Sequence, residues 1–249
     1  MKIFRIILAV VTCISIASSA WAETAEEAVK KAWSAYRIVS HETEYIKIVI
    51  AKNNGPTEEK KIVRWIKYSP DGHDKTTVRF QEPAMDKGLG LLTHRKAKDD
   101  DQWLKLPSIG SARKISTADQ SKYFGGTDFT NEDIRLAQGE RTSDYNYAYG
   151  ERNTIVSTPK PGTESAYAKR LITLDANHAI VKIEYFDKSD HLLKTMTNRK
   201  IKISNNGMWR AGETEIKNER LKRTTVMTVA DRQFIPIPDS YFTKAFLEK

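Results

Sequence analysis

This sequence of 249 residues predicts a mainly β fold, an antiparallel barrel or sandwich preceded by one long helix. Two observations carry that expectation. Roughly ten short segments alternate apolar and polar residues at hairpin spacing, with turn residues between them. Only one long segment, near the start, has helical periodicity, which argues against alternating βαβ units. Composition sets the outer bounds. At 29% charged residues the chain is no polytopic membrane protein, and at 9% aromatic it has the material for a packed core. Its single cysteine excludes an intramolecular disulfide and cysteine-rich metal sites.

Residues 1–22 read as a secretory signal peptide. Lys2 and Arg5 form a short basic region, Ile6 to Ala17 an apolar run, and Ala20-Trp21-Ala22 a small-residue cleavage site after Ala22. The apolar run is shorter than the roughly 20 residues needed to span a bilayer. Cys13 lies inside it, not just after a cleavage site, so a lipid anchor is not expected. Residues 23–249 are then a single exported domain, basic and free of cysteine.

The helix comes first. Glu23, Glu26 and Glu27 suit its positive end, and Ala25, Ala28, Val29, Ala32, Trp33 and Tyr36 share one face; it should end near Ser40. Strands follow over Tyr45–Ala51, Ile62–Tyr68, Thr76–Gln81, Leu89–Lys96 and Gln102–Leu106. Asn53-Asn54-Gly55-Pro56, Pro70-Asp71-Gly72 and Lys98 to Asp101 separate them as turns. Ala166–Leu174 and Ala179–Phe186 form a hairpin about Asp175 to His178, and strands continue over His191–Thr197, Lys200–Ser204, Glu213–Asn218 and Leu221–Val229. A short closing helix should start at Asp239 or Ser240 and bury Phe242, Ala245, Phe246 and Leu247.

The middle breaks this rhythm. Ser108 to Tyr123 is polar and basic. Phe124-Gly125-Gly126-Thr127-Asp128-Phe129-Thr130-Asn131-Glu132-Asp133-Ile134 follows, with paired glycines and a capping-box spacing from Thr130 to Asp133. A short helix should begin near Asn131.

Catalytic signatures are missing. There is no Gly-x-Ser-x-Gly, Walker loop, Gly-x-Gly-x-x-Gly or His-Glu-x-x-His. Asp71, His73 and Asp74 have metal-ligand chemistry, but a hairpin tip explains them better. No catalytic residue, metal or cofactor is expected. The basic excess without an aromatic–basic motif, in an exported chain, points to an anionic envelope surface or acidic partner and not to nucleic acid. Trp33, Trp65, Trp103 and Trp209 remain after cleavage, as core or as the lining of a ligand cavity.

Several stretches together resemble the outer-membrane lipoprotein-sorting, or LolA-like, proteins, in the branch associated with exporters of the resistance–nodulation–division (RND) type. They are Lys87-Gly88, Trp103 to Pro107, Arg113-Lys114, Tyr185 to Asp187, Lys194, Gly207 to Trp209 and Asp239 to Leu247. Above all, Phe124 to Ile134 matches the family signature, in which Gly125, Gly126, Asp128, Phe129 and Asp133 are the structural residues. The chain departs from that branch at Val156, where Cys is common, and at Arg210, where Pro is common. The resemblance implies an incomplete antiparallel β-barrel of LolA/LolB type whose covering helices shelter a concave apolar cavity for acyl chains of lipids or lipoproteins. It implies a periplasmic carrier to or at the outer membrane. The alternative is a non-carrier accessory or sensor of an RND-type exporter. Transient contact with an anionic membrane surface suits the charge, at about 1 kcal/mol per Lys or Arg. Candidate lipid-lining residues on the strand-patterned segments are Trp65, Phe80, Leu92 and Trp103.

Intact mass spectrometry of the exported protein should give a chain beginning at Glu23. A retained leader, or a diacylated Cys13, would contradict the reading of residues 1–22.

Overall fold

A computed structural model describes residues 23–52, 55–98 and 100–249. The expected leader, residues 1–22, lies outside the described residues, as do Asn53, Asn54 and Asp99. In chain order the elements are α1 (Ala25–Tyr36), β1 (His41–Lys52), β2 (Glu58–Lys67), β3 (Lys75–Glu82), β4 (Gly90–His94), β5 (Asp101–Lys105), β6 (Arg113–Lys114) and α2 (Asn131–Leu136). The second half contains β7 (Tyr145–Tyr149), β8 (Thr154–Pro159), β9 (Lys169–Leu174), β10 (Ile180–Phe186), β11 (Leu192–Arg199) and the small pair β12 (Lys202–Ile203) and β13 (Trp209–Arg210). It ends with β14 (Glu213–Asn218), β15 (Arg223–Gln233) and α3 (Lys244–Leu247).

All strands except β12 and β13 join one antiparallel sheet of 13 strands, in the order β6-β5-β4-β3-β2-β1-β15-β14-β11-β10-β9-β8-β7. Two meanders meet where β1 pairs with β15. The sheet ends at β6 and β7, which do not pair with each other, so it remains an open, incomplete barrel. A sheet of this many strands must curl to stay compact. The chain returns from one free edge to the other through residues 115–144, and this connector lies across the concave face.

Alternation along each strand assigns the two faces. Ile46, Ile48 and Ile50 of β1, Ile62 of β2, Val78 and Phe80 of β3 and Leu91 of β4 face inward with Phe124 of the connector. Helix α1 covers the concave side of the other meander, burying Ala28, Val29 and Ala32 against Ile172, Ile180 and Ile183. A capping box starts it: Thr24 Oγ1 accepts from the Glu27 amide at 3.2 Å and the Thr24 amide donates to Glu27 Oε2 at 2.8 Å. It ends at Tyr36, before Ser40, whose carbonyl accepts from the Tyr68 amide at 2.8 Å.

The C-terminal segment packs on the opposite, convex face, with Phe242 and Leu247 against Leu92. Here the structure corrects the sequence reading. Asp239–Phe242 form a 3-10 turn, and the closing helix is capped by Thr243, whose hydroxyl accepts from the Phe246 amide at 3.2 Å. Strands β7 and β8, over Tyr145–Pro159, are also additions. The alternation of Tyr145, Tyr147 and Tyr149 signals the first of them.

Within the connector, Phe124 to Phe129 forms a tight loop closed by the Phe124 amide on the Phe129 carbonyl at 2.8 Å. Gly125 and Gly126 have φ of 59° and 75°, a region that other residues adopt only with strain. A Cβ on Gly125 would also stand 2.4 Å from Phe80 Cζ, whereas one on Gly126 would meet nothing nearer than 3.9 Å. Gly125→Ala should therefore lower the urea midpoint clearly more than Gly126→Ala, which carries backbone strain of about 1–2 kcal/mol alone. Thr130→Ala, which removes the acceptor for the Asp133 amide at 3.1 Å, should cost about 1 kcal/mol. Equal effects at the two glycines would contradict the close packing of this loop on Phe80.

Candidate functional site

Two carboxylates of the connector fasten it to the concave face. Asp128 is fully buried and accepts from Asn218 Nδ2 at 2.9 Å, Arg223 Nε at 3.0 Å and Thr225 Oγ1 at 2.7 Å. These partners sit on β14 and β15. Asp133, in the first turn of α2, pairs with the ammonium of Lys194 on β11, whose side chain is fully buried. The Tyr167 hydroxyl donates to the other Asp133 oxygen at 2.7 Å. Burial first, and the Asp133 charge next, push the Tyr167 phenol well above its ordinary range and keep it a donor. The rings of Tyr185, Tyr167 and Tyr123 surround Lys194 with centroids 5.0, 5.3 and 5.8 Å from Nζ.

A second group of buried charges crosses the concave face nearby. Glu44 on β1 stands opposite Arg64 on β2 and Arg232 on β15 in the strand register. Arg64 Nε donates to it at 2.6 Å and Arg232 Nη2 at 2.7 Å. Burial pushes the Glu44 carboxyl up, and the two guanidinium groups more than reverse this, holding it at about 2. Glu42, two residues earlier on the same face, accepts from Arg210 Nη2 at 2.7 Å and forms an ion pair with Arg232, whose Nε lies 2.8 Å from Glu42 Oε1. Burial, then the charge of Glu44, push Glu42 above the usual carboxylate range, against the pull of Arg210. Arg210, which is itself buried, thus belongs to a buried ion pair.

Gaps remain between sheet and connector. One of about 100 Å³ is bordered by Trp33, Phe129, Ala137, Met196, Met227 and Arg64. A second, about 40 Å³ and nearly all apolar, shares Ile46, Arg64, Phe129, Ala137 and Met227 with it and reaches Phe124. Phe124 also borders an open groove of about 510 Å³ at the free β5–β6 edge. The three form a track along the concave face under the connector.

The structure does not gather the four lipid-lining candidates at one place. Phe80 lies on the concave face and lines the 40 Å³ gap. Trp65, Leu92 and Trp103 lie on the convex face with the C-terminal segment: Trp65 packs edge-on against Phe246 at 5.4 Å and Trp103 against His94 at 5.1 Å. Of the signature residues, Gly125 and Gly126 form the tight loop, Phe129 lines the track, and Asp128 and Asp133 are the fasteners. Sequence reasoning missed Glu42, Glu44, Arg64 and Arg232. The signal was present: Glu42 and Glu44 are in phase with Ile46, Ile48 and Ile50. At the hairpin tip, Asp71 Oδ1 accepts from the His73 amide at 3.0 Å, while buried Asp74 accepts from Arg37 Nη2 at 2.7 Å. Among the described residues no group of three or more His, Cys, Asp or Glu is placed to hold a metal ion.

An open antiparallel sheet with its return connector fastened across the concave face is the LolA-like class of fold. The chain belongs to a family whose model, described as an uncharacterized protein, matches residues 72–249. A DUF1329 family protein from Desulfovibrio piger superposes with a TM-score of 0.81 at 21% identity, over 90% of this chain and 99% of that one. A domain described as an outer membrane lipoprotein-sorting protein, from Vibrio parahaemolyticus, gives 0.80 at 22% identity, over 90% and 98%. A LolA superfamily protein from Nitrosomonas europaea gives 0.71 at 20% identity, over 90% and 100%. A comparison with curated proteins finds no match. At these identities the likeness is one of fold.

Replacing Lys194 by Met would leave Asp133 buried without its cation. Breaking such a pair costs about 3–5 kcal/mol. In urea unfolding, Lys194→Met should be strongly destabilised, and adding Asp133→Asn should recover part of the loss. Strict additivity of the two changes would contradict the coupling described above.

Proposed function

We propose that this protein is a periplasmic carrier that takes an acyl chain of a lipid or lipoprotein onto the concave face of its sheet, for transport to or at the outer membrane. In this reading residues 1–22 direct export and are removed, and residues 23–249 work as one lipid-binding domain without catalysis. The observation that carries it is the track of gaps between the apolar concave face and the connector. Burial of each acyl CH₂ contributes about 0.8 kcal/mol, so one long chain sheltered there gains roughly 10 kcal/mol. The lipoprotein-sorting description of the Vibrio relative agrees with this role. Glu44, Asp128 and Asp133 each hold a cationic partner and act as anchors of the fold.

The two smaller gaps, at about 100 and 40 Å³, are far below the roughly 300–1,000 Å³ of ordinary ligand pockets. Loading therefore requires the connector to lift or slide from the sheet. Its two ion-pair fasteners make this a discrete step. A second reading, a non-carrier accessory or sensor of an RND-type exporter, draws its support from the same fasteners, which hold the connector across the concave face with charge.

Displacement of a fluorescent fatty-acyl probe separates the two. The carrier reading predicts saturable binding that is largely insensitive to salt. Ala137→Trp fills both smaller gaps and should weaken binding at least about tenfold, the equivalent of ~1.4 kcal/mol. Trp103→Lys, on the convex face, should leave it unchanged. Absence of saturable binding by the folded wild-type protein would favour the accessory reading.

A further inference from the structure

The groove at the β5–β6 edge differs from the rest of the track in size, exposure and charge. Its floor is apolar: Leu89, Leu104, Leu106, Ile115 and Phe124. Its lips are the 3-10 turn Ala84–Asp86 and the loop 106–112 between β5 and β6. Each lip raises an apolar side chain into solvent. Met85 is 80% exposed and Ile109 is 43% exposed. Neither side chain contributes to any of the buried clusters of the core.

Cations surround the same opening. Arg113 and Lys122 line it, and exposed Lys87 follows the first lip. Lys105 Nζ donates to the Leu106 carbonyl at 2.9 Å under the second lip. The carboxylates here are already occupied. Asp86 pairs with Lys60, Asp119 pairs with Lys122 at 2.5 Å, and Glu248 behind the second lip accepts from the Ala112 amide at 2.8 Å. Among the described residues Lys87 and Arg113 have no carboxylate partner. Apolar tips beside unpaired cations, over an apolar floor, are the chemistry of contact with a lipid interface, where the tips enter the acyl boundary and the cations meet phosphates. An acidic protein surface would use the cations but has no use for a 510 Å³ apolar-floored opening between them.

We propose that this edge groove is the face with which the protein docks on an anionic phospholipid bilayer. Met85 and Ile109 enter the interface, and Lys87 and Arg113 contact the lipid phosphates. Phe124 lines both the groove and the 40 Å³ gap, so a chain drawn from the bilayer over this floor reaches the loop that pins the connector. The assignment rests on the carrier reading for its purpose, but it is measured independently of it.

The experiment is co-sedimentation of the folded protein with vesicles of phosphatidylcholine alone or mixed with phosphatidylglycerol, at low and at high salt. Wild type should bind the mixed vesicles, bind neutral ones weakly, and be released by salt. Lys87→Glu/Arg113→Glu should weaken binding to mixed vesicles by at least about tenfold, and Met85→Asp/Ile109→Asp by a similar factor. Both should keep the wild-type unfolding midpoint, since the substituted side chains are exposed. Ala137→Trp, which fills the two smaller gaps, should bind vesicles as wild type does. Equal binding to both vesicle types, or wild-type binding by either lip variant, would overturn the docking surface. Vesicle binding without any acyl-probe uptake would overturn the carrier reading and leave the docking surface standing. A wild-type protein that ignores both vesicles but captures an acidic polypeptide through Arg113 would overturn the membrane assignment.

Discussion

The arrangement of this protein depends on the attachment of its connector to the sheet through Asp128 and Asp133. The sheet has two free edges, and the chain must travel from one to the other. Hydrophobic contact alone would let that segment settle in several registers. The buried pair of Asp133 with Lys194, and the three side chains that converge on Asp128, fix one. Desolvating such charges is costly, and an ion pair of this kind is weak evidence of net stability. What it supplies is position. An uncompensated buried charge in any other register would be strongly unfavourable, which singles out the seated arrangement.

The concave face consequently serves opposing demands. Its rows of Ile, Phe and Met offer apolar area, while Arg64, Glu44 and Arg232 cross adjacent strands as a line of alternating charge. Cargo lying along the track would meet both. Apolar burial would supply the affinity, and the charged line would set how far a chain can run before an unfavourable contact. Arg210 extends the line through Glu42, and it packs over Tyr36 of α1 with the guanidinium carbon 4.1 Å from the ring centroid. The helix that covers the second meander thus packs against the same charged network.

Much of the fold is legible in the sequence because its strands obey period two and its turns carry Asp, Asn, Gly or Pro. The capping boxes at Thr24 and Thr130 are equally local, and the second was readable from Thr130 and Asp133 alone. The faces were harder. Trp65 and Trp103 have the look of cavity aromatics, yet the side a residue takes depends on pairing register and on which face the C-terminal segment covers. Both are long-range facts. The charged line was hidden for a related reason: Glu42 and Glu44 precede the apolar run that marks the first strand, and their partners Arg64 and Arg232 come from other strands. The role of Asp128 and Asp133 was visible only as a cap and a motif, since their partners Arg223 and Lys194 lie far along the chain.

The central claim is that the space under the connector holds an acyl chain in the working protein. Native mass spectrometry of the protein purified from its own envelope without detergent tests this most directly. The account predicts a population heavier than the polypeptide by the mass of a fatty acyl lipid, which collapses to the bare chain on organic extraction. A single species at the bare polypeptide mass, from cells rich in free lipid and with the protein fully folded, would contradict it.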